Sequence, residues 1–232
     1  MSELATRVKN GATGILRRTP HAIASLATQL WRLIVHIAVT GWRTGESWLL
    51  DSKKSAHGLA VTRIFFGLTG VLLLLTNWST RLYTFGSGSA WNGEAAEPVS
   101  DFPKIWIFSW FDRVRNDDLL FTLLYLVLLA LAVMVMLGWR TKIVLPVYFV
   151  LWISFIEMND AVGDQGDNMY RIALLLMLFA DPARHWSLDA RRRAKDDFKT
   201  LLPVEISNLL HNLALVCLAA QVFFVYGSGG LY

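Results

Sequence analysis

The sequence has little that would support a secreted or soluble enzyme. Its one cysteine, Cys217, lies inside an apolar run and cannot form a disulfide within the chain. The first twenty residues carry basic groups but lack the compact apolar core and cleavage site of a signal peptide, so we expect the first span to direct insertion. No Ser-His-Asp order, phosphate-binding loop or His/Cys metal spacing is present. These absences exclude a disulfide-stapled fold and leave no motif of a soluble enzyme.

Long apolar runs are what the sequence has instead. Hydrophobic residues make up 54% of the 232 residues, and several runs approach the roughly 20 residues that cross a bilayer. One soluble core could not bury them all. The net charge of +4 comes from Lys and Arg between these runs, which favours membrane orientation over binding to nucleic acid. The sequence therefore predicts a multi-pass membrane protein whose first partner is the lipid bilayer.

The predicted fold is an all-α helical membrane bundle with about five transmembrane helices. Apolar composition places the spans at Leu59–Trp78, Leu119–Gly138, Ile143–Met158, Asn168–Ala180 and Val204–Tyr226. They belong to a predicted transmembrane domain over residues 57–232. Residues 1–56 are predicted to form a basic arm followed by an amphipathic helix.

The amphipathic helix is predicted from the spacing of apolar residues between positions 21 and 50, where Leu30, Ile34 and Ile37 share a face. We interpret it as a helix lying in the plane of the membrane interface. A true span is the alternative, but it would place Arg32 and His36 in its middle.

The distribution of basic residues predicts the orientation of the spans. Eight Lys and Arg precede the first span, two lie in the turn after the second, and six follow the fourth. The loop after the third span and the C-terminal segment have none. The positive-inside rule then places the N-terminus in the cytoplasm and the C-terminus outside the cell membrane.

An aromatic stretch over residues 102–111 is too short to span the membrane. It is predicted to lie on the outer surface. One interpretation is an interfacial aromatic belt. The other is a lid over a cavity that lipids can enter.

Acidic residues cluster beside the fourth span, at Asp160, Asp164 and Asp167. Their spacing does not match a calcium-binding loop, so no metal site is predicted, although a lone divalent-ion site is an alternative. Asp167 and Arg171 are four residues apart and favour an ion pair at the helix start. In the competing hypothesis, Arg171 faces the bundle interior and lines an outward-opening cavity with Asp164 or Asp167.

Four other polar residues in spans are candidates for the same cavity. Arg63 is either an interfacial anchor or an inward-facing arginine that binds an acidic group or anionic ligand. His211 is more typical of a hydrogen-bonded core residue than of a base or ligand. Gln221 and Tyr226 are predicted at the depth of Arg171, where outer-end polar groups of the fourth and fifth spans converge.

Several of these residues lie in motifs that resemble one family. The sequence resembles the HTTM proteins, the bacterial vitamin K-dependent gamma-carboxylase-like membrane proteins, over residues 57–232. The motifs are Gly163-Asp-x-x-Gly-Asp-Asn-x-x-Arg171, Ala180-Asp-Pro, Trp186-Ser-Leu-Asp189, Arg63-Ile-Phe-Phe-Gly67 and Gln221-Val-Phe-Phe-Val-Tyr226.

The resemblance implies a function for an enzyme branch of the family. In that branch, oxygenation of a reduced quinone generates a strong base that removes the gamma proton of a glutamate, and carbon dioxide adds. The family's lysine is expected directly after the segment matching residues 221–230, and none lies there in these 232 residues. A fragment of a longer protein and a reduced core without that chemistry are both consistent with this.

Two hypotheses of different classes follow from the resemblance. The first is a carboxylase-like core with an outward cavity for a quinone or similar lipid. The second is a non-catalytic membrane partner in maturation, export or immunity for a secreted peptide. A channel or transporter ranks third, because no span carries a polar stripe through the membrane midplane.

Overall fold

A computed structural model describes residues 28–89, 105–159, 165–194 and 202–229. The chain divides into two compact units, Met1–Asp51 and Ser52–Tyr232. Helices dominate the described residues of both units, and those residues contain no β-strand. The prediction of an all-α membrane bundle is therefore confirmed.

The first unit contains one described helix, α1, over residues 28–50. Its helical state agrees with the predicted amphipathic helix, whose first residues, 21–27, lie outside the described part of the chain. The in-plane placement of this helix stays a prediction.

The second unit contains the helices that follow the predicted spans. They are α2 (Ala56–Thr76), α3 (Arg81–Thr84), α4 (Trp110–Val114), α5 (Asp118–Leu137), α6 (Thr141–Ile156), α7 (Gln165–Phe179), α8 (Leu188–Arg193) and α9 (Val204–Gly229). A single 3-10 turn, Trp106–Phe108, precedes α4. The aromatic stretch is thus two short helical pieces over its described residues, and residues 102–104 lie outside them.

All five predicted spans are helices within two or three residues of the predicted bounds. Helices α2, α5 and α9 are long and apolar enough to cross a membrane, and α6 is a shorter apolar helix of 16 residues. Helix α7 has 15 residues. At 1.5 Å per residue, α6 and α7 are each roughly 23 Å long, somewhat short of a full hydrocarbon core.

The core forms where α5 packs between α2 and α6, with α7 and α9 following in order around the bundle. Aromatic side chains fill it: Phe121, Tyr125, Tyr148 and Trp152 are fully buried. Gly67 allows the closest approach of α2 to α5, because a Cβ there would lie 2.6 Å from the Met136 Cα. Only a residue without a side chain fits at that crossing.

Successive long helices run in opposite directions, so the bundle has two ends. We call the end that holds the starts of α2, α6 and α9 the Arg63 end. The opposite end, where α7 begins, is the Arg171 end. Residues far apart in the chain meet at each of them.

Candidate functional site

Arg63 is fully buried at the Arg63 end, although it carries a charge within a span. Its guanidinium donates to four backbone carbonyls: those of Val135 at 2.7 Å, Trp186 at 2.7 Å, Pro182 at 3.2 Å, and Met136. These carbonyls belong to the end of α5 and the segment after α7. Arg63 therefore joins three parts of the chain by donating to carbonyls at the end of α5 and in the segment after α7.

Arg63 faces inward, which agrees with the second of the two sequence interpretations and not with an interfacial anchor. Among the described residues, its guanidinium donates to carbonyl oxygens and not to the predicted acidic side chain. The carboxylate of Asp189 contributes a favourable charge at longer range. Nothing local in the sequence could have identified the carbonyls, which lie 72 to 123 residues away.

Three residues other than glycine have positive φ in the described part of the chain, and all lie at the Arg63 end. Ser55, Arg140 and Trp186 have φ of 46°, 45° and 46°. Ser55 and Arg140 directly precede α2 and α6, and Trp186 lies two residues before α8. Such left-handed residues cost about 1–3 kcal/mol each and persist where surrounding contacts determine the backbone.

The motif Trp186-Ser-Leu-Asp189 closes the turn between α5 and α6. The Asp189 carboxylate accepts from the amides of Arg140 at 2.8 Å and Thr141 at 2.7 Å, and its own amide donates to Gly138 O at 3.0 Å. Ser187 caps α8 by accepting from the Ala190 amide at 2.8 Å. Asp189 lies in the first turn of α8, but the start that it caps is that of α6.

Asp181 binds two cations beside this turn. Its carboxylate pairs with Lys53 at 3.0 Å and with Arg193 at 3.2 Å. Burial alone raises the pKa of the Asp181 carboxyl, but the positive charges of Lys53 and Arg193 outweigh it and hold that pKa below its ordinary value. Asp181 therefore remains ionised at neutral pH.

His211 and Asn212 attach α9 to the segment before α2. The Nδ1 of His211 accepts from the Asp181 amide at 3.1 Å, and its Nε2 lies 2.9 Å from Lys54 O. A neutral ring protonated at Nε2 satisfies both bonds. Asn212 accepts from the Lys54 amide at 2.8 Å and donates to Ser52 O at 2.9 Å. These contacts match a hydrogen-bonded core histidine.

Arg171 forms an ion pair with Glu157 at the opposite end, and its Nη2 donates to Asn168 Oδ1 at 2.8 Å. The Glu157 side chain is 7% exposed and that of Arg171 30%. Sequence reasoning did not single out Glu157, which follows α6 and lies 14 residues before Arg171. An acidic residue that directly borders an apolar run is the sequence signal that could have identified Glu157.

The other residues predicted at this end differ in their burial and contacts. Gln221 lies against the start of α7 and donates to Met169 O at 3.0 Å, so the fourth and fifth predicted spans do approach here. Tyr226 is 74% exposed. Asp167 is half-buried on the first turn of α7. Asp164 lies outside the described residues.

Three buried aromatic residues connect the ends. Tyr148 and Tyr170 share a hydrogen bond of 2.8 Å between their hydroxyls, and Tyr170 donates to Phe66 O at 2.7 Å. The Trp152 ring lies 4.7 Å from that of Tyr170. Among the described residues, the buried Trp152 Nε1 has no hydrogen-bond partner. An N–H donor is therefore left for an acceptor in the interior.

An open groove of about 370 Å³ runs along α4 and the first half of α5. Its lining is apolar except for one arginine and consists of Trp110, Arg113, Val114, Leu120, Leu123, Leu124 and Val127. It lies at the Arg171 end, because Arg115, just after α4, donates to Met158 O near Glu157. Its shape and chemistry suit an apolar chain.

Comparison with known proteins gives one match. A family model described as the HTTM domain matches residues 52–231. No curated protein and no solved structure matches the chain. The matched range contains both ends of the bundle and every motif on which the sequence resemblance depended.

Proposed function

Because the chain belongs to the HTTM family, we propose that it is a carboxylase-like membrane core that binds a reduced quinone or similar lipid at its Arg171 end. The observation that carries the proposal is the meeting of polar groups from α6, α7 and α9, with Arg171 paired to the buried Glu157 and Gln221 beside Met169. Polar groups inside a membrane bundle are costly and are kept where they bind or conduct.

The residues at this end fit a quinone. Its two oxygens accept hydrogen bonds, and Asn168, Arg171 and Gln221 supply amide and guanidinium donors. The unpaired indole N–H of Trp152 offers a further donor within the bundle. When bound, a reduced quinone supplies, on oxygenation, the base that the family resemblance implies. Arg171, with Asp164 and Asp167 before it, is proposed to shape the entrance.

The groove beside α4 supports access from the lipid phase. Its apolar lining suits an isoprenoid or acyl tail. This agrees with the hypothesis that the aromatic stretch over residues 102–111 covers a cavity that lipids enter. The proposal includes the orientation predicted from charge, with the N-terminus in the cytoplasm and the Arg171 end outside, and the division into residues 1–56 and 57–232.

The test measures the binding of a reduced naphthoquinone to the chain in lipid nanodiscs. Quenching of tryptophan fluorescence reports the binding. Arg171→Gln should weaken binding about tenfold or more, equivalent to about 1.4 kcal/mol, while the protein still inserts and expresses. Arg81→Gln is the matched control, because Arg81 lies at the same end and bonds to Thr122 instead. Equal binding by both variants, or none by the unaltered chain, refutes the proposal.

A second candidate is a non-catalytic membrane partner for a secreted peptide. The observation favouring it is that Arg63 and His211, two of the predicted cavity residues, are engaged with backbone groups that hold the fold together. In that case Arg171→Gln disturbs assembly only. This candidate would be supported by a peptide or subunit that purifies with the chain and is lost in the Arg171→Gln variant. Quinone binding would then be unchanged by the substitution.

A further inference from the structure

We propose that the Arg63 end carries a binding site for the phosphate of an anionic phospholipid, formed by Arg140 and Arg192, whose guanidinium groups both lie against Trp139. The Arg140 guanidinium lies 5.3 Å from the centre of the Trp139 ring, and that of Arg192 lies 5.6 Å from it. Two cations from different elements therefore share one indole. This inference does not depend on the proposed function.

The position of the site matches the boundary of the membrane. Trp139 and Arg140 follow directly on α5, a helix long and apolar enough to span, whose C-cap is Gly138. Tryptophan favours the headgroup region, where its ring contacts apolar chains and its edge meets water. Trp139 is half-buried and packs against the hydrophobic core, so the ring that both arginines contact is held in place.

The two arginines are held in place by the backbone around them. Asp189 binds the amides of Arg140 and Thr141 and lies one turn before Arg192 on α8. This fixes the α5–α6 turn to the helix that carries Arg192. Arg140 also keeps a left-handed backbone, with φ 45°, a conformation that persists where surrounding contacts determine it.

The charge around the site favours an anion. The side chain of Arg192 is 47% exposed, and its Nη1 lies 3.7 Å from an Asp189 carboxylate oxygen, a loose contact. The Asp189 carboxylate already accepts from two amides. Lys142, Arg184 and Arg191 add positive charge at the same end and are exposed. Arginine binds phosphate oxygens through paired N–H groups, and basic clusters next to spans attract anionic lipids.

The test compares two double variants that remove the same charge. Arg140→Gln with Arg192→Gln removes the proposed site, and Arg184→Gln with Arg191→Gln removes two neighbouring arginines. Native mass spectrometry then measures phosphatidylglycerol retained from mixed phosphatidylglycerol and phosphatidylcholine micelles. The first pair should weaken retention about thirtyfold, equivalent to about 2 kcal/mol, because it removes the direct donors to the phosphate. The second pair should weaken it much less, because it removes only long-range attraction. Equal loss from both pairs means diffuse attraction only and overturns the proposal.

Two further arms complete the test. Inorganic phosphate at millimolar concentration should not displace the lipid, and full displacement would show an anion site without lipid preference, contrary to the proposal. If the first double variant does not fold, Arg192→Gln alone is used, since its side chain is half exposed. A loss of about fivefold supports the site, and retention equal to that of Arg191→Gln overturns it.

Discussion

The two ends of the bundle each place an arginine within an apolar helix, but the partners differ. Arg63 is fully buried and donates to four backbone carbonyls. Arg171 is 30% exposed and pairs with a carboxylate. One arginine completes the backbone bonding of neighbouring segments, whereas the other is a charge pair near the surface. A charge close to a span is therefore informative only when its partners are known, and the same residue type serves structure at one end and candidate function at the other.

Removing the arginine at the Arg63 end should have the largest effect. Arg63→Leu removes the donor that four buried or part-buried carbonyls share and should lower the free energy of unfolding by about 3–5 kcal/mol. Unfolding in mixed detergent measures the change. Phe65→Leu is the control, since Phe65 is 62% exposed and lies two residues away on α2. A loss for Arg63→Leu no greater than the control's would show that the carbonyl contacts contribute nothing.

Removing the arginine at the Arg171 end should destabilise less. Arg171→Gln leaves the Glu157 carboxylate buried without that cation and should cost about 1–3 kcal/mol. The double variant with Glu157→Gln should recover part of the loss, because two neutral amides need no counter-charge. A double-mutant cycle in the same unfolding assay gives the coupling energy. Simple additivity of the two single effects would contradict a direct pair.

The cap that crosses from α8 to α6 should contribute less again. Asp189→Ala removes acceptors from the amides of Arg140 and Thr141 and should cost about 0.5–2 kcal/mol. Asp112→Ala is a suitable control at the other end, because its contact to Arg115 is a loose 3.8 Å. Thermal unfolding of both variants separates the two, and equal melting temperatures would argue against the cap.

The smallest effect concerns pH at Asp181. The pKa of this carboxyl is lowered in the fold, so its contribution is present above the unfolded value of about 3.9 and is lost as pH falls through the folded value. The free energy of unfolding should therefore decrease below about pH 4. Asp181→Asn should be less stable at neutral pH and show a flatter profile. Parallel profiles for the two chains would exclude this carboxyl as a source of acid sensitivity.

The helices were predictable because their signal is local. Apolar runs located all five segments. Predicted ends shifted by a few residues, as at α6, where the helix begins at Thr141 and not at Ile143. Chain composition carries this information directly, so no knowledge of packing was needed.

The partners of the polar residues were not predictable in the same way. Asp167 and Arg171 share a helix face, and that spacing drew attention to a local pair, whereas Glu157 comes from the neighbouring helix. Every residue has a backbone carbonyl, so residue types could not identify the carbonyls that bind Arg63. Arg63 becomes buried, and Asp189 on α8 comes to cap α6, only when distant segments of the chain pack together.

The crossed cap of α6 has a consequence for the order in which the protein is made. The acceptor for the first amides of α6 is Asp189, 48 and 49 residues further along the chain. A ribosome therefore delivers the α5–α6 hairpin to the membrane well before its acceptor exists. Until α8 emerges, those amides must bond to water or lipid headgroups. The Arg63 end therefore locks late in synthesis, after α7 and Asp189 have been translated.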